Sequence, residues 1–342
     1  MIETPSDLIS VIIPAYNAAD TLPHCLAALQ QQTIPPTQYE VIVVDDGSAD
    51  DTAQIAAQFP IRVIRQRNAG AAAARNHGAE VARGWLLLFT DADCIPAPDW
   101  IAQMCKPFQH DETVVGANDV VGAKGVYGTR QVGLIPRFVQ QEYQDKYDAM
   151  AQLEQIDFVD TYAAAYRRDF FLALGGFDTR YPGASVEDQE FSFRAAKAAA
   201  QHGQRLIFIP TALVWHRHDQ SVGDYVRRKY GIGYWKAFLL QRHPDKAIQD
   251  SHTPQLLKGQ MGLAALGGGL LGLSLLLPQR NLSKVGFGIW GLLLLSGWPF
   301  YRKLAQRDPA VVMVAPWLLF VRAWALGLGL VMGYLRLLWP DR

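Results

Sequence analysis

No excess charge of either sign marks this sequence: 32 lysines and arginines stand against 32 aspartates and glutamates. That balance gives no support to nucleic acid as a partner. Cysteine is scarce. Cys25, Cys94 and Cys105 form no CxxC pair, which argues against a zinc site or a disulfide framework and fits a reducing compartment. Each thiol reads as a small buried side chain. The N-terminus MIETPSDLIS lacks the basic start and apolar core of a signal peptide, so the first domain is expected to stay in the cytosol. No glycine-rich loop with a following basic residue lies near the first strand, which speaks against a nucleotidyltransferase. Beyond about Lys258 charge itself becomes rare.

What is present is an alternation of short β-branched runs and helical periods. Residues 10–14 read as a strand ending at Pro14, and residues 17–32 as a helix with Leu22, Leu26 and Leu29 on one face. Residues 40–44 are an unbroken apolar run, as in a parallel strand buried on both faces. Asp50 or Asp51 can cap a helix reaching about Phe59. Residues 61–64 and 85–89 are further strands around an alanine-rich helix over 69–83. This pace predicts a doubly wound, Rossmann-like, mostly parallel α/β sheet. Residues 115–157 read as a mixed strand and helix segment. Residues 207–209 and 213–215 read as two late strands flanking Pro210.

Three acidic stations punctuate the pattern. Asp45-Asp46 closes one apolar run, Asp91-Ala92-Asp93 closes another, and Glu187-Asp188 follows about a hundred residues later. Carboxylates just after buried strands lie at the carboxyl edge of the sheet, where ligands bind in open α/β folds. A D-x-D pair on a loop can hold a hard divalent cation, and that cation a diphosphate. An aspartate at a strand end can accept from a base N–H, or it can simply cap the turn. Arg75, inside the helix that small residues open at Asn68, can face a diphosphate.

Taken in order, PAYN at 14–17, VDDGSADDT at 44–52, NAGAAAARNHG at 68–78, TDADC at 90–94, GGFD at 175–178 and EDQEFSFR at 187–194 resemble the family 2 inverting glycosyltransferases of GT-A fold. The resemblance implies a nucleotide-diphosphosugar donor of UDP, GDP or dTDP type and Mg2+ or Mn2+. It implies that Asp45 or Asp46 contacts the base, with Pro14, Tyr16, Asn17, Asn68, Arg75, Asp91 and Ala92 in the donor site. Asp91 and Asp93 match the metal motif, and His216 resembles a histidine that some members place near the metal. Asp188 matches the catalytic base, with Glu187 beside it. GGFD is expected to shape an acceptor-side turn, or to be a helix C-cap followed by a packed phenylalanine. The Q-x-x-R-W motif of the processive polymerases is absent, which favours transfer of single sugars. A polyprenyl-phosphate sugar synthase and a non-catalytic sugar-nucleotide scaffold are the rival readings.

The expected organisation is a catalytic domain over 1–220, a basic and aromatic juxtamembrane segment over 221–258, and a membrane anchor over 259–342. The anchor has apolar stretches at 261–277, 285–301 and 310–339. Ala264, Gly268 and Gly272 form a small-residue face in the first. Arg322 interrupts the third, which reads either as one tilted helix or, preferably, as an interfacial segment to Val321 followed by a span. Basic residues 302–307 between the second and third stretches agree with a cytosolic loop. The expected location is the cell membrane, multi-pass, with the catalytic domain cytoplasmic. A lipid-linked or other membrane-proximal hydroxyl compound is the expected acceptor, and the stretch 225–242 is expected to lie on the membrane surface or to grip a lipid-linked phosphate.

Overall fold

The computed structural model describes residues 8–109, 119–181, 186–247, 251, 253–277 and 280–339. The elements run β1 (Ile9–Ala15), α1 (Leu22–Gln30), β2 (Tyr39–Asp45), α2 (Thr52–Ala56), β3 (Arg62–Arg65), α3 (Ala71–Val81), β4 (Leu86–Phe89), β5 (Cys94–Pro96), α4 (Trp100–Cys105), β6 (Val120–Gly128), α5 (Leu134–Met150), β7 (Ala164–Arg167), α6 (Arg168–Ala173), α7 (Glu187–Gln201) and β8 (Arg205–His216). Then come α8 (Val222–Arg242), α9 (Gln255–Leu276), α10 (Arg280–Ser296), α11 (Trp298–Arg307), α12 (Pro309–Val312) and α13 (Ala315–Leu338). They fall into two compact units: residues 1–130 with 147–217, and residues 131–146 with 218–342. Part of the expected 115–157 segment, residues 115–118, lies outside the described residues.

The first unit is built on an eight-stranded sheet of order β3-β2-β1-β4-β7-β6-β8-β5. Its first four strands pair in parallel, as the doubly wound reading predicts. From β7 onward the sheet is mixed: β7 runs antiparallel to β4 and β6, β6 parallel to β8, and β5 antiparallel to β8. β4 is buried along its whole length, which explains a run of uninterrupted leucines and phenylalanine. On one side of the sheet Phe89, Tyr166, Phe171, Phe177 and Phe191 pack ring against ring at centroid distances of 4.8–6.5 Å.

Two local expectations are corrected. The helix expected from Asn17 starts only at Leu22, because residues 17–19 are tied down as a loop. Asn17 takes φ +49, its Oδ1 accepts from Ala49 N at 2.9 Å, and Ala18 N and Ala19 N donate to Thr52 Oγ1 and Asp50 Oδ2. The two strands expected around Pro210 are one strand, β8. The ladder with β6 jumps from Phe208 to Leu213 while β6 advances only from Lys124 to Val126. Pro210, with no N–H to give, lies in that irregularity.

In the second unit, Phe138, Val139, Tyr225, Phe300, Leu304, Val311, Ala315, Leu318 and Leu319 form a buried cluster. α8 starts at Ser221, whose Oγ accepts from Asp224 N, a side-chain N-cap. Among the described residues two helices are long and apolar enough to cross a membrane, α9 and α13, and α10 is a shorter apolar helix. The second expected stretch is broken at Gly297, where α10 gives way to α11. The third divides at residues 313–314 between α12 and α13, and α13 runs unbroken through Arg322 and does not stop at Val321. Arg322 is tolerated there because its Nη1 lies 2.7 Å from Glu142 Oε1 and its Nη2 donates to Gln260 Oε1 at 2.8 Å. Of the expected small-residue face, Ala264 is buried and Gly268 lies against Trp324, while Gly272 faces open space.

Candidate active site

The site grows from turns that follow β1, β2 and β4. In register, Ala15 at the end of β1 lies beside Asp45 at the end of β2. Asp45 is fully buried. Its Oδ1 accepts from Ser48 N at 2.9 Å and its Oδ2 lies 3.2 Å from Arg65 Nε. Asp46 Oδ1 accepts from Gln66 Nε2 at 2.7 Å and Ala69 N at 2.9 Å, and its Oδ2 from Gly70 N at 2.8 Å. The second aspartate therefore holds the N-terminus of α3. Gly47, which follows Asp46, takes φ +77, and a Cβ there would meet Asn68 N at 2.9 Å; only glycine lets the two turns touch. Pro14 is partly buried, while Tyr16 and Asn68 are exposed.

α3 carries Arg75 inward. Its guanidinium is buried and bridges two of the acidic stations: Nη2 lies 2.7 Å from Asp91 Oδ1 and Nη1 lies 3.0 Å from Glu187 Oε1. Burial works against that charge, but Asp91 and Glu187 outweigh it and hold the group firmly protonated. Glu187 and Asp188 open α7, and Asp188 Oδ1 accepts from Gln189 N at 2.7 Å. Burial first, and the Glu187 charge second, push the Asp188 carboxyl up from 3.8 to about 7, with Arg75 pulling the other way.

At the other side of the turn, Ala92 is buried, and Asp93 Oδ2 lies 3.2 Å from His216 Nε2. β5 and β8 make this meeting, since Cys94 and His216 are register partners. Burial would raise the Asp93 carboxyl, but the His216 hydrogen bond and charge bring it below its ordinary value. Tyr127 stacks on His216 at 4.6 Å. Ligand atoms of Asp93, Cys94 and His216 all lie within 4.8 Å of one another. Burial pushes the Cys94 thiol well above its usual value, so the carboxylate and the imidazole are the better donors of the three. An oxygen and nitrogen donor set of this kind suits Mg2+ or Mn2+. Asp91, the other aspartate of the motif, has its Oδ1 2.7 Å from Arg75 Nη2. His218 belongs to the second unit, with its Nε2 2.9 Å from Gln140 Oε1.

Two groups escaped the sequence reading. Lys124 is buried, paired with Asp160, and donates to Tyr162 Oη at 2.7 Å. It lies over the rings of Tyr147, Phe158 and Tyr162 at 4.6–5.5 Å. A lysine inside the apolar strand VVGAKGVYG was the available signal. Asn76 binds the Phe177 backbone through both amide atoms, at 2.8 and 2.9 Å. With Arg194 donating to the Leu174 and Gly176 carbonyls at 2.7 Å, it fixes the GGFD turn.

Residues 10–175 match the family described as "Glycosyl transferase family 2". Over 99 residues the chain is 44% identical to Glycosyltransferase AglE of Haloferax volcanii, covering 27% of this chain and 33% of that one. Over 234 residues it is 31% identical to Putative glycosyltransferase EpsH of Bacillus subtilis, covering 66% and 65%. The chain thus spans between a third and two thirds of these relatives' own length. The mannosyltransferase PcManGT from Pyrobaculum calidifontis, solved with GDP-Man and Mn2+, superposes with a TM-score of 0.58 at 20% identity, over 98% of this chain and 88% of that one. At that identity the likeness is one of fold.

Proposed function

We propose that this chain, which belongs to glycosyl transferase family 2 through residues 10–175 and has the GT-A fold, moves a sugar from a nucleotide-diphosphosugar to a membrane-proximal hydroxyl, with inversion. The observation that carries the reading is the Arg75 bridge. One buried guanidinium gathers Asp91 and Glu187, residues 96 positions apart in the sequence, and each neighbours the residue that the chemistry needs, Asp93 and Asp188. Asp46 at the start of α3, or Asp45 beside it, would take the base. Pro14, Tyr16, Asn17, Asn68 and Ala92 would line the donor, with Arg75 near its diphosphate. Asp91, Asp93 and His216 would hold Mg2+ or Mn2+, which when bound supplies positive charge to the departing diphosphate.

In this reading the acceptor oxygen bonds to the anomeric carbon as the bond from that carbon to the diphosphate oxygen breaks. The acceptor proton passes to the Asp188 carboxylate, and the nucleoside diphosphate leaves. A carboxyl raised to about 7 is a stronger base than an ordinary aspartate while still ionised in part at neutral pH. The apolar helices α9 and α13 support a membrane location, with the catalytic unit on the cytosolic side in this reading, and a lipid-linked glycan is the acceptor class that such a location brings within reach.

Thermal shift of the full-length protein with UDP-, GDP- and dTDP-sugars, with and without Mn2+, tests the donor half. One nucleotide should stabilise the wild type in a Mn2+-dependent way, and Asp93→Ala and Asp91→Ala should lose that dependence. No stabilisation by any of them would overturn the reading.

A further inference from the structure

α13 is long and apolar enough to span a bilayer, but what packs on it does not suit a span. α8 runs parallel to it in backbone contact. A Cβ on Gly233 would collide with Leu326 O, one on Gly329 with Tyr230 O, and one on Gly333 with Tyr234 O. Residue numbers rise together along both helices, from Arg322 beside the Glu142–Lys229 pair to Gly333 beside Ala237. Small residues allow that approach.

α8 is not an apolar helix. It carries Arg227, Arg228, Lys229, Lys236 and Arg242, and it accompanies α13 at the same level. If α13 crossed the bilayer, Lys236, whose Nζ meets Thr253 Oγ1 at 2.9 Å, would be carried toward its interior, where a charge is expensive. α13 adds Arg322 and Arg336 of its own.

The face of α13 turned from α8 is open and apolar. Leu328, Val331, Met332, Leu335, Leu338 and Trp339 are exposed along it, at the i, i+3, i+4, i+7 spacing of one helix stripe. α13 has little polar face of its own; α8 supplies one. Together they have the make-up of an interfacial element, charged and polar on one side, where Arg227 and Arg228 pair with Asp224 and Asp219, and apolar on the other.

We propose that α13 lies in the plane of the membrane interface, its Leu328–Leu338 stripe in the acyl boundary and α8 on its aqueous side. The occupant of the stripe is lipid. This rests on the membrane location proposed above and changes what the third apolar stretch does: it is a keel and not a crossing.

The test uses full-length protein in phosphatidylcholine–phosphatidylglycerol liposomes, with a nitroxide on Leu328→Cys, Val331→Cys, Leu335→Cys or Leu338→Cys. Depth is read from relaxation by oxygen against an aqueous nickel chelate. Leu292→Cys, on exposed α10, reports whether the chain is in the membrane at all. The expected result is one shallow depth at all four α13 positions. Depths that change steadily by about 15 Å from Leu328 to Leu338, the rise of ten helical residues, would overturn the proposal in favour of a span. Nickel-accessible α13 labels with a lipid-exposed Leu292 label would overturn it alone. Nickel access at all five positions would overturn the membrane location as well.

Discussion

In the proposed reaction the chemistry turns on Arg75 and Asp188, and their surroundings make different demands. Arg75 is buried between two carboxylates, so Arg75→Ala leaves Asp91 and Glu187 facing each other unneutralised. Breaking such a pair costs about 3–5 kcal/mol, and thermal denaturation should show the loss even without donor. Asp188 holds its proton to about pH 7 when folded, against 3.8 as its ordinary value. A carboxyl raised in this way lends stability at low pH that is lost as pH rises from about 4 through 7. The melting temperature of Asp188→Asn should therefore gain on the wild type between pH 5 and pH 8; a constant difference would remove the raised carboxyl. Turnover should rise with pH through the same region as the base ionises. The sequence made Asp93 legible by its place after a buried strand, and Asp188 by the motif that resembles the family's. It did not show that Arg75 would tie Asp91 to Glu187, because no spacing rule links a helix interior to a helix start more than a hundred residues away.

At the scale of elements, the GGFD turn shows local chemistry and tertiary contact agreeing. α6 ends with Gly175 N donating to Leu172 O and Gly176 N to Phe171 O, both glycines at positive φ, which is a Schellman closure. Phe177 then packs under Phe89 and Phe191. The C-cap reading of this motif was available from sequence; the Asn76 clamp over it was not, since an asparagine in mid-helix has no local signature for a partner a hundred residues away. Asn76→Ala, which removes two bonds to the Phe177 backbone, should destabilise by about 1–3 kcal/mol in chemical denaturation. Gly176→Ala should cost at least about 1 kcal/mol for the left-handed backbone, with more added because its Cβ would lie 2.5 Å from Asn76 Oδ1. Wild-type stability in both would mean that the turn is held elsewhere. The first four strands were legible because β-branched runs between helices have few other solutions. β8 was not, because Pro210 reads as a break when its place in a ladder irregularity is unseen.

For the molecule as a whole, the compact units do not follow chain order. The second unit takes Gln131–Lys146 from the middle of the chain, and Phe138 and Tyr225 are buried by Phe300, Leu304 and Ala315. A chain ending near Gln255 would strip that cover. It should aggregate, whereas the full-length protein should stay with membranes through a carbonate wash; a monodisperse, soluble truncation would contradict this. Hydropathy announced the apolar tail but could not show that Arg322 is matched by Glu142, because partners in a helical cluster leave no periodic trace. The central claim is that one site gathers donor, metal and base. Its most direct test is transfer of labelled sugar from the stabilising nucleotide-sugar, with Mn2+, to a membrane lipid extract, comparing the wild type with Asp188→Asn. The variant should bind the nucleotide as the wild type does and transfer roughly 10²–10⁴-fold more slowly; transfer at the wild-type rate would contradict the account.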